Sequence, residues 1–263
     1  MAMSEDEITA LDNAIAECMQ YLIPTVPESS NNKESETRFS GAIWYDKIKE
    51  KQIVCGGCGG IMSNFIFQLA RLDPKSIIVY DPDKVEMVNM AGQMFCINDV
   101  NRYKVKAMNT TTASYCNYNT VSAIASKYDE DSIIGDIMVS GFDNMKARKV
   151  FFNNWLKYVA KAEDKSKCLY IDARLSFDTI HIFCITGDDE YHIKDYKDNY
   201  LFDDKEADET VCSLKQTTYM ACMIASYMVN MFVNFCANEV APMITVLPYF
   251  TEYNSDLMQM KVK

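Results

Sequence analysis

The sequence predicts an α/β fold: a mixed sheet with helices on both faces, parallel in its N-terminal half and antiparallel in its C-terminal strands. Three observations predict it. Short apolar runs (Ile53-Val54-Cys55, Ile77-Ile78-Val79-Tyr80, Ile137-Met138-Val139) alternate with segments whose apolar residues recur every three or four positions. The first two runs open into loops rich in glycine or acidic residues, as parallel strands do when they end at a ligand site. The last stretch, 244–262, reads as two edge strands.

The totals agree with one large domain or two small ones. The chain has 263 residues, of which 49% are hydrophobic, enough for a sizeable core. A formal charge of −11 argues against nucleic acid and anionic membrane as partners. Ten cysteines would suit a disulfide scaffold in a short secreted chain. Here the opening Met1-Ala2-Met3-Ser4-Glu5-Asp6-Glu7 is acidic and lacks a signal peptide's basic and apolar regions. A reducing cytoplasm with free, buried thiols is the expectation.

Taken in order, Ser4 and Glu7 form a capping box, and Ile8, Leu11, Ile15, Cys18, Met19 and Leu22 make one helical stripe. A polar linker over 28–37 follows, so 1–37 is read as a helix plus linker and 38–263 as the main domain. Arg38, Phe39 and Trp44 stand just before the first strand. The aromatics are expected to pack on the domain, and Arg38 offers a cation useful near a triphosphate.

The organising stretch is Ile53-Val54-Cys55-Gly56-Gly57-Cys58-Gly59-Gly60, followed by a helical pattern with Ile61, Phe65, Ile66 and Leu69. Strand, glycine loop and helix together make a phosphate cradle, because glycine lets backbone N–H groups approach and the helix N-terminus is partly positive. Asp81 ends the second strand, placed to accept hydrogen bonds from a ribose. The loop is not a Walker loop, since no Gly-Lys-Ser/Thr ends it. It also departs from the dinucleotide fingerprint, with Met62 in the place of the third glycine.

The stretch 82–95 lacks periodicity and reads as a long functional loop. A helix follows over 103–115, with Lys104 and Lys106 at its start, where an ammonium gains nothing from the helix dipole. Strands are expected over 120–124 and 137–140, and a helix from about Asp143 to 159. Asp143 can act as a helix N-cap or hold Mg²⁺ against ligand phosphates. A strand ends at Asp172. A pair of strands, 180–185 and 191–193, is expected to turn at Gly187-Asp188-Asp189, with His181 and His192 as sheet residues. The stretch 195–209 reads as a long loop delivering Cys212. The uncharged run to 238 reads as a fully buried helix behind the sheet, although its length would just span a bilayer.

Several of these pieces fall in register with a known family. The chain resembles the ThiF/MoeB/HesA adenylating family, to which the ubiquitin-activating enzymes belong. The resemblance rests on Gly57-Cys58-Gly59-Gly60-Ile61-Met62-Ser63, Asp81-Pro82-Asp83-Lys84-Val85, Asn89 and Gln93, Lys106-Ala107, and Asp143-Asn144 with Ala147-Arg148. It implies a Rossmann-like domain that uses ATP and Mg²⁺ to activate the C-terminal carboxylate of a small ubiquitin-like or sulfur-carrier protein. By that resemblance Gly57, Gly59 and Gly60 lie against the phosphates and Asp81 holds the ribose. Asn89, Gln93 and Lys106 line the phosphate end, Asn144 stands beside it, and Asp143 binds Mg²⁺. Arg38 would reach the ATP of a partner subunit, which implies a homodimer.

Two departures stand out. Gly92 precedes Gln93 where the family has arginine, removing a cation unless Arg102 or Lys104 replaces it, and Met62 stands for a glycine. The paired Cys-x-x-Cys zinc site of many members is missing, since Cys55 and Cys58 are the sole such pair and lie in the glycine loop, so no structural zinc is expected.

The implied chemistry suits this inventory. A carboxylate is already ionised near neutral pH and needs no general base. Alignment and charge neutralisation remain, which Lys106, Arg38 and Asp143 could supply. Cys212, between a crossing loop and a helix start, is the candidate to accept the acyl group as a thioester. Competing readings are a non-catalytic dimeric nucleotide-binding scaffold and a nicotinamide oxidoreductase.

Overall fold

A computed structural model describes residues 41–176, 178–202 and 217–263. The expected opening helix, its linker, Arg38, Phe39 and Cys212 lie outside the described residues, as does the boundary at 37/38.

Eight strands form one sheet in the order β3-β2-β1-β4-β5-β6-β7-β8. The strands are β1 (Gln52–Gly56), β2 (Ser76–Tyr80), β3 (Val121–Ile124), β4 (Ile137–Ser140), β5 (Leu169–Ser176), β6 (Thr179–Thr186), β7 (Phe250–Asn254) and β8 (Gln259–Val262). The first five run parallel and the last three pair antiparallel. This is the mixed Rossmann-like sheet that the sequence predicts.

Residues alternate between two cores along each strand. Ile53, Cys55, Ile77, Val79, Ile137, Val139 and Ile171 face one side. That side is covered by α2 (Gly60–Ala70), α3 (Lys104–Cys116) and α6 (Thr218–Asn238). Val54, Ile78, Met138, Tyr170 and Phe183 face the other, under α4 (Met145–Val159) and α5 (Glu190–Asn199). There Phe151, Phe152, Trp155, Tyr170 and Tyr196 form a fully buried aromatic cluster. A short α1 (Tyr45–Glu50) buries Tyr45 and Ile48 just before β1.

Helix α6 is long and apolar enough to cross a membrane by length and composition. It lies along α2, where the Cys222 thiol donates to Asn64 Oδ1 at 3.1 Å and the Ser226 hydroxyl donates to Gln68 Oε1 at 3.0 Å. Only one stripe of it, including Ala221, Ile224, Met228 and Phe232, is fully buried, so it covers the sheet as an amphipathic helix and is not enclosed.

Three expectations are corrected. β5 runs on past Asp172 to Ser176 and turns straight into β6, so the hairpin is 169–186 and not 180–193. Tyr191 and His192 are helical, because Asp189 caps α5 by accepting from the His192 backbone N–H at 3.0 Å. Accordingly 190–199 is a helix, in place of the strand expected at 191–193 and of the first residues of the loop expected over 195–209. The histidine ring stacks on Tyr249 and does not sit in the sheet.

The Met62 departure has a local answer. Met62 is fully buried, and a Cβ built on Gly141 would lie 2.4 Å from its Cγ. The missing atom has moved across the contact: the helix carries the bulk, and the β4–α4 turn supplies the glycine. Gly141→Ala should therefore cost about 1–3 kcal/mol by overpacking, and adding Met62→Ala should recover part of it. Urea unfolding of the single and double variants checks this.

Candidate nucleotide site

The glycine loop joins β1 to α2 at the carboxyl end of the parallel strands. Gly57 has φ +91°, a conformation that side chains rarely adopt, and its N–H donates to the Tyr80 carbonyl at 2.8 Å. The Cys58 N–H donates to Asp81 Oδ2 at 2.7 Å and the Asp83 N–H to Oδ1 at 2.8 Å. Asp81, 7% exposed, is thus aimed by two backbone amides from the loops on either side of it.

Gly59 is the N-cap of α2 and makes no side-chain cap. A Cβ there would meet nothing within 4 Å, so internal packing does not require glycine at this position. Open space beside uncapped amides is what a phosphate needs. Gly59→Ala should leave unfolding stability unchanged or slightly raised, since φ is −79°, while weakening ATP binding at least tenfold in calorimetry.

The loop after β2 is pinned from two sides. The Met94 N–H donates to Ser63 Oγ at 3.0 Å, and the Thr218 hydroxyl at the start of α6 donates to the Ala91 carbonyl. Between these ties, Gln93 carries a buried amide oxygen with no partner among the described residues. Asn89 caps its own turn, accepting from the Glu86 N–H at 2.8 Å. Gly92 is buried, and no side chain there supplies the family's cation.

The lysine that faces Asp81 is Lys104 and not Lys106. Two residues apart on a helix are about 200° apart around its axis. Lys104 is 8% exposed, with Nζ 3.0 Å from Asp83 Oδ2 and the Asp81 carboxylate acting on its charge. Lys106 points outward, exposed, with its ammonium 6.0 Å from the Tyr103 ring centroid. Arg102 is engaged elsewhere, donating to Asp99 at 2.7 Å and Thr110 at 2.8 Å.

Burial pushes the Asp81 carboxyl up, and Lys104 and the two amides only partly oppose this. Its ionisation therefore costs stability: the cost is absent below the ordinary value of 3.8 and complete above the raised folded value. A ribose-binding carboxylate of this kind should lose nucleotide as pH falls through a point above 3.8. Burial also pulls Lys104 down, but Asp81 and Asp83 outweigh it, and its ammonium is held above the ordinary lysine value.

Beside the glycine loop, β4 ends at Ser140 and turns through Gly141-Phe142-Asp143 into α4, the Gly141 N–H donating to the Gly56 carbonyl at 3.0 Å. Asn144, not Asp143, caps that helix, accepting from the Ala147 N–H at 2.8 Å. Asp143 is exposed and free of the capping role; its Oδ1 accepts from Asn144 Nδ2 at 3.1 Å. Among the described residues no three metal-ligating side chains cluster. A cation here would take Asp143 plus ligand phosphates and water, as Mg²⁺ commonly does.

The ThiF family model matches residues 31–262. The chain belongs to the ThiF family. No curated protein matches it in sequence. Among solved structures it is similar to PaaA, with a TM-score of 0.66 at 13% identity over 99% of this chain and 83% of that one. It is also similar to E. coli MccB with ATP, with a TM-score of 0.60 at 20% identity over 84% of this chain and 65% of that one. For E. coli MccB with MccA the TM-score is 0.64, again at 20% identity and the same coverage. The ThiF chain described here thus spans just under two thirds of MccB's length in these two comparisons, and at these identities the likeness is one of fold.

Gly57, Gly59, Gly60 and Asp81 lie together at the carboxyl ends of β1 and β2, and Gln93 is tied toward α2 through Met94 and Ser63, while the Asn89 side chain is spent on its own turn. Asp143 and Asn144 stand at the carboxyl end of β4, next to β1. Sequence reasoning missed Gly141 and Asp172, and it gave Arg148 no task. The place of Arg148 in the Asp143-Asn144 and Ala147-Arg148 match was the signal available.

Proposed function

We propose that this protein is an ATP-dependent adenylating enzyme that activates a carboxylate on a peptide or small protein. The single observation that carries the reading is the Asp81 constellation: a buried carboxylate aimed by the Cys58 and Asp83 amides, beside an open, uncapped α2 N-terminus and the buried Lys104. Family membership supports it, as do structural neighbours crystallised with ATP and with MccA.

In this reading the glycine loop and α2 amides bind the triphosphate, and Asp81 accepts from the ribose. Lys104 neutralises charge that builds on the phosphates, compensating for the family arginine that Gly92 lacks. Asp143 would hold Mg²⁺, which when bound would supply positive charge against that of the triphosphate. The substrate carboxylate, already ionised, attacks the α-phosphorus; its new P–O bond replaces the bond to pyrophosphate, giving an acyl-adenylate. No His or Ser nucleophile is needed, in keeping with the half-buried His192 stacked on Tyr249 and the sheet position of His181.

The finer features of the reading rest on the resemblance. These are a ubiquitin-like or sulfur-carrier substrate and a homodimer completed by Arg38; transfer to Cys212 rests on its place before a helix start, and residence in the cytoplasm without nucleic acid or membrane partners rests on the acidic N-terminus, the cysteines and the charge of −11. The test is exchange of labelled pyrophosphate into ATP by the purified protein, with ubiquitin-like proteins and short peptides as carboxylate donors. Donor-dependent exchange is the expected result. ATP binding with no exchange for any donor would favour the scaffold reading, which the uncharged Gly92 keeps open, and NADH binding would favour the oxidoreductase.

A further inference from the structure

We propose that Arg148 and Asp172 are positioning residues for the reaction, setting the backbone of the Asp143 loop from behind; this rests on the adenylating reading above. Asp172, at the carboxyl end of β5, is fully buried. Two guanidinium groups share it. Arg148 donates through NH1 to Oδ1, and Arg174 donates through Nε to Oδ2 at 2.8 Å. The remaining fork of Arg148 does two things: it donates to the Ala173 carbonyl at 3.2 Å and to the Phe142 carbonyl. Phe142 immediately precedes Asp143.

The arginine therefore bridges two elements. Its root is on α4, its charge is matched on β5, and its free fork grips the turn between β4 and α4. Phe142 is fixed from its ring as well. A Cβ on Gly56 would lie 2.3 Å from that ring, so the glycine at the end of β1 is the seat on which Phe142 rests. Phe151 and Tyr128 close over the same ring at centroid distances of 5.4 and 6.4 Å. With the main chain and side chain of Phe142 both held, the backbone that enters Asp143 is set, and Asp143 is exposed there.

Stability alone does not explain this arrangement. A buried carboxylate with charged partners is often no better for stability than well-packed apolar side chains of similar volume. What the charged set adds is direction. Arg174 secures the carboxylate from the far side, donating also to the Tyr200 carbonyl at 2.9 Å and the Tyr196 hydroxyl at 3.3 Å. Asp172 is thereby prevented from turning, and Arg148 is presented with its fork toward Phe142. Three charged groups leave one net positive charge beside the carboxyl ends of β4 and β5.

The test compares wild type with Arg148→Lys, which keeps the charge but cannot bond Asp172, Ala173 and Phe142 together, and with Asp172→Asn. Ile185→Val, away from the site in the α4-side core, serves as a control of lowered stability. Two readouts are taken at a temperature where each variant is folded. The first is the half-saturating Mg²⁺ for ATP binding by calorimetry; the second is amide hydrogen exchange at 141–144 in the metal-free, nucleotide-free protein. Arg148→Lys should raise the Mg²⁺ requirement at least tenfold while changing metal-free ATP affinity less than threefold. Exchange at 141–144 should quicken at least tenfold in Arg148→Lys and Asp172→Asn but not in Ile185→Val. Unchanged exchange and an unchanged Mg²⁺ requirement in Arg148→Lys would overturn the proposal and leave the pair as a fold element only. If wild-type protein shows no Mg²⁺-dependent ATP binding, the adenylating reading fails, and the exchange readout still decides whether the pair sets the loop.

Discussion

Pyrophosphate exchange in Lys104→Met should fall by about 10²–10³-fold, while Lys106→Met should stay within about threefold of wild type. The size follows from removing a preorganised cation aimed at developing phosphate charge. Lys104 is that cation because its side chain is buried, Asp83 bonds its head and the Asp81 carboxylate acts on its charge. Lys106, on the opposite side of α3, faces solvent, where charge is screened. The loss should appear mainly in kcat, with ATP affinity affected less, since Asp81 and the glycine loop are intact. Steady-state exchange on the three proteins measures both. A Lys104→Met variant as active as wild type, beside an inactive Lys106→Met, would restore the assignment made from sequence spacing.

The second large effect is on stability. Asp172→Ala should cost about 3–5 kcal/mol, because it strands two buried guanidinium groups without their shared anion. That is a large part of the total stability of an ordinary domain. The sign with pH is fixed by the same contacts. Burial pushes the Asp172 carboxyl up, but Arg148 and Arg174 outweigh it and hold the folded value below 3.8. Its contribution is fully present above 3.8 and is lost as pH falls through the lower folded value. Denaturant unfolding of wild type and Asp172→Ala should therefore show a wide gap at pH 7 that narrows only in strong acid. A gap that closed already between pH 6 and 5 would point to a different carboxylate.

The parallel half of the sheet was legible because its signals are local. β4 and α4 show as an apolar run, a glycine turn and a periodic stripe, and both lie where the spacing puts them. The end of β5 was not legible. Arg174 breaks an apolar run, and only the fold reveals that Asp172 and Tyr196 absorb its charge. Helix α5 was missed because 190–199 is mostly polar and buries Tyr196 alone, leaving its Asp189 cap as the one clear mark. The choice between Lys104 and Lys106 needed the phase of α3 against the Asp81 loop, which motif spacing does not carry. The Met62 departure looked damaging because the compensating Gly141 is distant in sequence and adjacent only across the β4–α4 turn.

The central claim is that this ThiF protein binds ATP through a metal held at Asp143. Calorimetric titration of ATP, with and without Mg²⁺, into wild type and Asp143→Ala tests it most directly. Asp143 is exposed and does not cap α4, so its removal should leave the fold intact. Wild type should bind ATP tightly only with Mg²⁺, and Asp143→Ala should lose that metal-dependent gain. ATP binding of equal strength with and without Mg²⁺, or unaffected by the substitution, would contradict it.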